Sequence, residues 1–116
     1  MIKSKFHQPV PELPVKDVEK AQAFYRDKLG FTIAWIIPEK TMGAVSKDET
    51  ALFLRKHETI IPQVIWIFVD DADEMYQEFM DNKISISEPI ETKPWGIRQF
   101  TIEDLDGNKF IFHHDV

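Results

Sequence analysis

The chain contains no cysteine among its 116 residues. This excludes disulfides and thiol chemistry, and it is typical of a protein in a reducing compartment. The longest uninterrupted apolar run is VIWIFV, residues 64–69, which is far short of the ~20 residues that a membrane-spanning helix needs. The amino-terminal stretch MIKSKFHQPV lacks the apolar core of a signal peptide. We therefore expect a cytoplasmic protein that does not associate with membranes.

Basic residues are also scarce, since 14 Lys and Arg stand against 20 Asp and Glu and give a net charge of −6. No basic stripe is available to bind nucleic acid, and the acidic surplus mainly favours solubility. With only four glycines, the chain has no glycine-rich phosphate loop, and no nucleophile–base signature is present. What remains is 43% hydrophobic and 12% aromatic residues, enough for one domain with a substantial core.

Short apolar runs predict strands, and two amphipathic stretches predict helices. The first helix is expected over 17–29, with Asp17 as its N-cap and Gly30 as its stop. The second begins near Ala72, and Asn82 is expected to close it in the left-handed conformation. The predicted strands are PELPV (11–15), FTIAWII (31–37), MGAVS, ALFLR, VIWIFV (64–69), ISIS (84–87), IRQFTI (97–102) and KFIFH (109–113). The order is β-α-β-β-β, twice, with EPIETKPWG as a loop.

The two halves align with each other without a gap over the first strand and helix. At an offset of 54 residues Asp17 falls on Asp71, and at an offset of 58 Asp48 falls on Asp106. This register favours a true duplication over chance similarity. The predicted organisation is a single α+β domain over 1–116, with one module at about 8–57 and another at about 62–115.

One helix can cover only one face of a four-stranded sheet, so each module should leave its other face open. Two such sheets side by side would form a curved trough with the helices outside, a natural site for a small molecule. Strand alternation directs particular side chains into that trough, and a slip of one residue would invert the assignment. Trp35, Trp95 and Arg98 are further candidates, although Arg98 shares the parity of the apparent core residue Phe100. The ten candidate ligand-binding residues are Glu12, Trp35, Phe53, Arg55, Trp66, Phe68, Trp95, Arg98, Ile111 and His113.

Two segments of the chain, PELPVKDVEKAQAFYRDKLGF and WGIRQFTIEDLDGN, resemble the vicinal-oxygen-chelate superfamily. That superfamily includes glyoxalase I, fosfomycin-resistance thiol transferases, extradiol dioxygenases and bleomycin-resistance proteins. The resemblance covers about residues 8–115 and is greatest to the bleomycin-resistance-protein-like branch, where W-G-x-R-E-F and D-P-x-G-N are typical. The chain departs from those motifs at Gln99 and Leu105.

The resemblance implies four strand positions from which the superfamily's enzymes bind a divalent metal. Counted from the motifs, these positions hold Val10, Phe53, Val64 and Ile111. None of these side chains has a nitrogen or oxygen that could bind a divalent ion. The resemblance combined with these residues therefore predicts a protein with no metal and no other cofactor.

The sequence predicts a metal-free binding protein that sequesters a planar or aromatic organic ligand, an antibiotic being one candidate. The alternative is a metal-dependent enzyme of the glyoxalase, lyase or dioxygenase type with a displaced site, for which Glu12, His57 and His113 are available donors. The resemblance also implies a homodimer with two equivalent sites, and it leaves open whether the two copies exchange modules.

Overall fold

A computed structural model describes all residues, 1–116. The elements in chain order are β1 (Glu12–Val15), α1 (Val18–Leu29), β2 (Thr32–Ile36), β3 (Met42–Lys47), β4 (Thr50–Lys56), β5 (Val64–Phe68), α2 (Ala72–Asp81), β6 (Glu88–Thr92), β7 (Ile97–Glu103) and β8 (Lys109–Asp115). They form two four-stranded sheets, ordered β1-β4-β3-β2 and β5-β8-β7-β6. The β1–β4 and β5–β8 pairs are parallel and the others antiparallel. This confirms the α+β class and the repeated β-α-β-β-β order.

Both helices begin directly after a capping aspartate, as predicted for Asp17, and Asp71 caps the second in the same way. The side chains of Asp17 and Asp71 each accept a hydrogen bond from the backbone N–H three residues further on, at 3.0 Å, which satisfies one of the free donors of the first turn. Gly30 ends α1 with φ of 74°, as expected. Asn82 ends α2 as expected, but its predicted left-handed conformation is wrong, because Asn82 has φ of −87° and Lys83 takes the left-handed conformation instead.

The sixth strand lies later in the chain than the sequence predicts. Residues 84–87 form no strand, and β6 instead occupies part of the stretch that was expected to be a loop. Pro89 is tolerated there because β6 is an edge strand, where a missing N–H breaks no ladder on the free side. Ile84 is buried in the core from the connection that follows α2.

The two modules share one hydrophobic core of 17 buried residues. The first sheet contributes fully buried leucines, Leu13, Leu52 and Leu54, and the second contributes Phe110 among other aromatic residues. The ring of Tyr25, on α1, lies 5.8 Å from the ring of Phe110, on β8, in an edge-to-face arrangement. The helix-covered faces of both sheets therefore join each other, and burial of this continuous apolar surface is the main force holding the modules together.

The sharing of the core determines where the open faces lie. Both helices contribute side chains to the common core, so the open face of each sheet is on the outside of the chain. Large apolar residues are exposed there, with Trp66 50% and Phe68 61% exposed. The expected trough, formed within one chain and with both helices on its outside, is therefore absent. Both open faces of the sheets remain accessible instead. Neither helix has the length and hydrophobicity needed to cross a membrane.

Candidate functional site

The open face of the first sheet, which we call the first face, combines an aromatic pair with an ion pair. Trp35 and Phe53 are both cross-strand neighbours of Ala44, and their ring centroids are 5.4 Å apart. Beside them, Arg55 Nε donates to Glu12 Oε1 at 2.9 Å. Both side chains of this pair are nearly half exposed, so the pair contributes little to stability and both charges are accessible to a ligand.

The open face of the second sheet, which we call the second face, is more aromatic. His113 lies between Trp66 and Phe68, with ring centroids 5.6 and 5.7 Å away, and both contacts are edge-to-face. Ile111 is the cross-strand neighbour of Trp66, and it is buried at the base of this group. Flat aromatic surfaces of this kind stack on planar ligands.

Sequence reasoning missed one polar residue of the second face, Gln99. It is the cross-strand neighbour of His113 and points to the same side of the sheet, yet it is only 6% exposed. Gln99 Oε1 and His113 Nδ1 are buried without a hydrogen-bond partner, and each such atom costs about 1–3 kcal/mol of desolvation. The available signal was strand parity, because Gln99 alternates with the core residue Phe100.

Two of the ten predicted residues lie away from both open faces. Arg98 is on the α2 side of its sheet, where its Nε donates to both carboxylate oxygens of Asp73 at 2.9 and 2.8 Å. That hydrogen bonding lowers the pKa of the Asp73 carboxyl. Trp95 lies in the turn between β6 and β7, exposed, with Lys93 Nζ 6.0 Å from its ring. The remaining eight residues lie four on the first face and four on the second.

The four positions at which the superfamily's enzymes bind metal do not fit a divalent ion in this chain. Val10 precedes β1, Phe53 is the cross-strand neighbour of Glu12, and Val64 and Ile111 are alkyl side chains of β5 and β8. No three His, Asp or Glu side chains come together in a group that could hold a metal ion.

The three donors of the alternative, displaced metal site are also dispersed. Glu12 is paired with Arg55, and it lines a small cleft of about 240 Å³ together with His57. His113 belongs to the other sheet. One chain therefore offers no three-ligand set of the kind that a catalytic metal needs.

The chain is similar in sequence and in fold to proteins of known type. The family described as the Glyoxalase/Bleomycin resistance protein/Dioxygenase superfamily matches residues 6–112, and the chain belongs to this superfamily. A bleomycin resistance protein from Geobacillus stearothermophilus is 25% identical over 130 residues, which cover 94% of this chain and 97% of that protein.

Two solved structures of the same group are also similar. A bleomycin-binding protein from bleomycin-producing Streptomyces verticillus, complexed with copper(II)-bleomycin, has a TM-score of 0.83 and 25% identity, covering 95% of this chain and 97% of that one. The bleomycin resistance determinant encoded on transposon Tn5 has a TM-score of 0.82 and 21% identity, covering 95% and 98%. Within the superfamily, the chain belongs to the bleomycin-resistance branch.

Proposed function

We propose that this protein binds a planar or aromatic organic molecule on its open sheet faces and sequesters it without chemical change. The observation that carries the proposal is the exposure of large aromatic side chains, above all Trp66 and Phe68, on a sheet face that no other element of the chain covers. Contiguous exposed apolar surface of this kind marks a site of interaction. The relatives named for bleomycin binding and resistance support an antibiotic as the class of ligand.

The proposed site is shared between two copies of the chain. The shared core keeps the helix-covered faces together, so the first and second faces of one chain are each free to meet a face of another copy. Pairing the first face of one copy with the second face of its partner would enclose a ligand between Trp35 and Phe53 on one wall and Trp66 and Phe68 on the other. In a twofold-symmetric homodimer of this kind, each site takes one sheet from each chain. The dimer therefore contains two equivalent sites.

The proposed site works without a metal ion. The four chelating positions of the superfamily carry no donor atoms here, and Glu12 is engaged by Arg55. Affinity would come from apolar burial and aromatic stacking, with the Glu12–Arg55 pair adding a polar contact at the rim.

Titration with copper-free bleomycin, followed by tryptophan fluorescence, tests the binding function. We expect saturable quenching, and we expect Trp66→Leu to weaken binding about tenfold because it removes a stacking surface. Trp95→Leu is the matched control, since Trp95 lies in an exposed turn, and it should leave the Kd unchanged. Wild-type protein that binds neither bleomycin nor a simple naphthalene derivative would contradict the proposal.

Mixing two defective variants tests whether the site is shared. Trp35→Leu damages only the first face and Trp66→Leu only the second. In mixed dimers, a site built from two chains is intact in one of its two copies, so high-affinity binding should reappear after the variants are unfolded and refolded together. Sites that lie within one chain would stay defective in every combination, and a monomer in sedimentation analysis would equally refute the shared site.

Metal analysis separates the proposal from the enzymatic alternative. We expect protein purified without chelator and then dialysed to contain less than stoichiometric zinc, nickel, manganese or iron. Tightly held stoichiometric metal, with turnover that His113→Ala abolishes, would favour the metal-dependent enzyme instead.

A further inference from the structure

The second face carries two unpaired polar atoms that the stacking of a ligand does not by itself explain. Gln99 Oε1 and His113 Nδ1 are the two buried side-chain polar atoms without a hydrogen-bond partner in the whole chain. They belong to cross-strand neighbours on β7 and β8. Buried polar side chains usually bond to each other, to the backbone or to ordered water. Two unpaired atoms on neighbouring residues therefore indicate a hydrogen-bond partner that is not part of this chain.

The position of the pair directs it towards the proposed ligand. The His113 ring is held between Trp66 and Phe68 at 5.6 and 5.7 Å, and both of those side chains are at least half exposed. Gln99 is itself more than nine-tenths buried, so it cannot satisfy its oxygen with bulk water. As cross-strand neighbours, Gln99 and His113 point to the same side of the sheet as the exposed Trp66 and Phe68.

We infer that Gln99 and His113 form a specificity pair that receives an NH₂ group on the edge of the stacked ligand. An amide oxygen accepts hydrogen bonds only, and the Nδ1 atom of a neutral imidazole protonated at Nε2 is also an acceptor. One nitrogen with two hydrogens can donate to both atoms at once. The ligand class is thus a planar aromatic molecule with a carboxamide or an aromatic amino group. This inference rests on the proposed function, because it specifies which ligands the same site selects.

Alternative uses of the pair are less consistent with the structure. A metal ion needs further donors, and none join these two atoms in a group of three. A purely structural role would leave the two atoms bonded within the chain, as Gln22 is on the helix-covered side, where its Nε2 donates to the backbone oxygens of Trp35 and Ala44 at 2.8 and 3.3 Å.

A matched pair of probes tests the inference. 2-Naphthamide and 2-acetonaphthone have the same ring and carbonyl group and differ in NH₂ against CH₃. We expect the wild-type protein to bind the amide about five- to tenfold more tightly, as measured by tryptophan quenching. Gln99→Met should reduce this preference to about one, and His113→Phe should do the same if the first variant folds poorly. Gln77→Met is the control, because it makes the same change on the exposed surface of α2 and should keep the full preference.

The outcomes separate this inference from the proposed function. Equal binding of both probes by the wild-type protein overturns the specificity pair and leaves the aromatic binding function standing. Absence of quenching by either probe overturns the specificity pair, and absence of quenching by bleomycin as well overturns both proposals. A Gln99→Met variant that keeps its preference but dissociates in sedimentation analysis would show that the pair serves the contact between copies, and would also overturn the inference.

Discussion

The two similar modules meet at two related places. Hydrogen bonds close the first of these junctions, which we call the sealed side, and an open groove lies at the second. At the sealed side, the Tyr25 hydroxyl on α1 donates to Asp104 Oδ2 at 2.5 Å, in the turn between β7 and β8. The same carboxylate accepts hydrogen bonds from the backbone N–H of Asp106 and of Asn108 and from Asn108 Nδ2. Asn108 also donates to the Pro14 oxygen on the edge strand β1, at 3.0 Å.

At the related place on the other side, the groups that would make such a seal are missing. An offset of 54 places Phe79 where the first half has Tyr25, and an offset of 58 places Ser46 where the second has Asp104. An open groove of about 1160 Å³ lies there, between the end of α1 and α2, with Phe79 and Phe112 among its lining residues. The hydroxyl and the carboxylate that join the modules on the sealed side thus have no counterparts at the open groove.

Loss of the carboxylate at the sealed side should have the largest effect on stability. Asp104→Asn turns one oxygen into an NH₂ group that faces the donors of Tyr25 and Asn108, so buried donors would oppose each other. We expect a loss of about 3 kcal/mol in the free energy of unfolding, measured by urea denaturation. Asp48→Asn, in the exposed turn of the unsealed side, is the control and should change stability by less than about 0.5 kcal/mol. Equal effects of the two substitutions would remove the distinction between the sides.

Removal of the hydroxyl alone should have a smaller effect. Burial strongly raises the pKa of Tyr25, so its hydroxyl stays a donor over the whole working range of pH. Tyr25→Phe leaves one lone pair of Asp104 unsatisfied, and we expect a loss of about 1–2 kcal/mol in the free energy of unfolding. Tyr76→Phe is the control, because the half-buried Tyr76 on α2 has a hydroxyl with no hydrogen-bond partner in the chain. A cost for Tyr76→Phe as large as that for Tyr25→Phe would show that the seal contributes nothing specific.

A still smaller, pH-dependent effect is expected at Asp106. Burial raises the pKa of this carboxyl, so the folded state disfavours its charged form, and stability from this group decreases as pH rises through the raised value. Asp106→Asn keeps an oxygen for the Lys16 N–H, which now donates to the carboxylate at 3.0 Å. We expect a gain of less than about 0.5 kcal/mol at pH 7, measured by thermal unfolding, that disappears at pH 3. A gain that persists at pH 3 would exclude the charge as its cause.

The smallest effect on stability is expected at Arg98, and it should have the opposite dependence on pH. Its hydrogen bonds lower the pKa of Asp73, so their stabilisation is present above the ordinary value of 3.8 and is lost as pH falls below it. Arg98→Gln should therefore lower the melting temperature slightly at pH 7 and not at pH 2.5, without changing ligand affinity. Arg55→Gln, on the first face, should weaken ligand binding and leave the melting temperature almost unchanged. A change in affinity caused by Arg98→Gln would place that residue at the site after all.

Much of the fold was predictable because short-range rules decide it. The aspartate caps and the α1 stop follow from local hydrogen bonding and from the freedom of Gly30 at positive φ. Strand alternation predicts Trp66 and Phe68 on the open side of β5, and both are exposed there, whereas Ile65 and Ile67 between them pack against the core. The same rules failed at β6, since Pro89 is typical of a loop and only the edge position of the strand makes it acceptable.

The repeated order of helices and strands was determined by the sequence alone, because it depends on residue types at fixed spacings. The sequence also places Val10, Phe53, Val64 and Ile111, which have no metal donors, at the four positions that the family resemblance implies. Only the tertiary structure decided that the helix-covered faces share one core, that Arg98 pairs with Asp73, and that Gln99 lies buried and unpaired beside His113. These features depend on contacts between residues far apart in the chain, and spacing along a strand carries no information about which distant element will cover it.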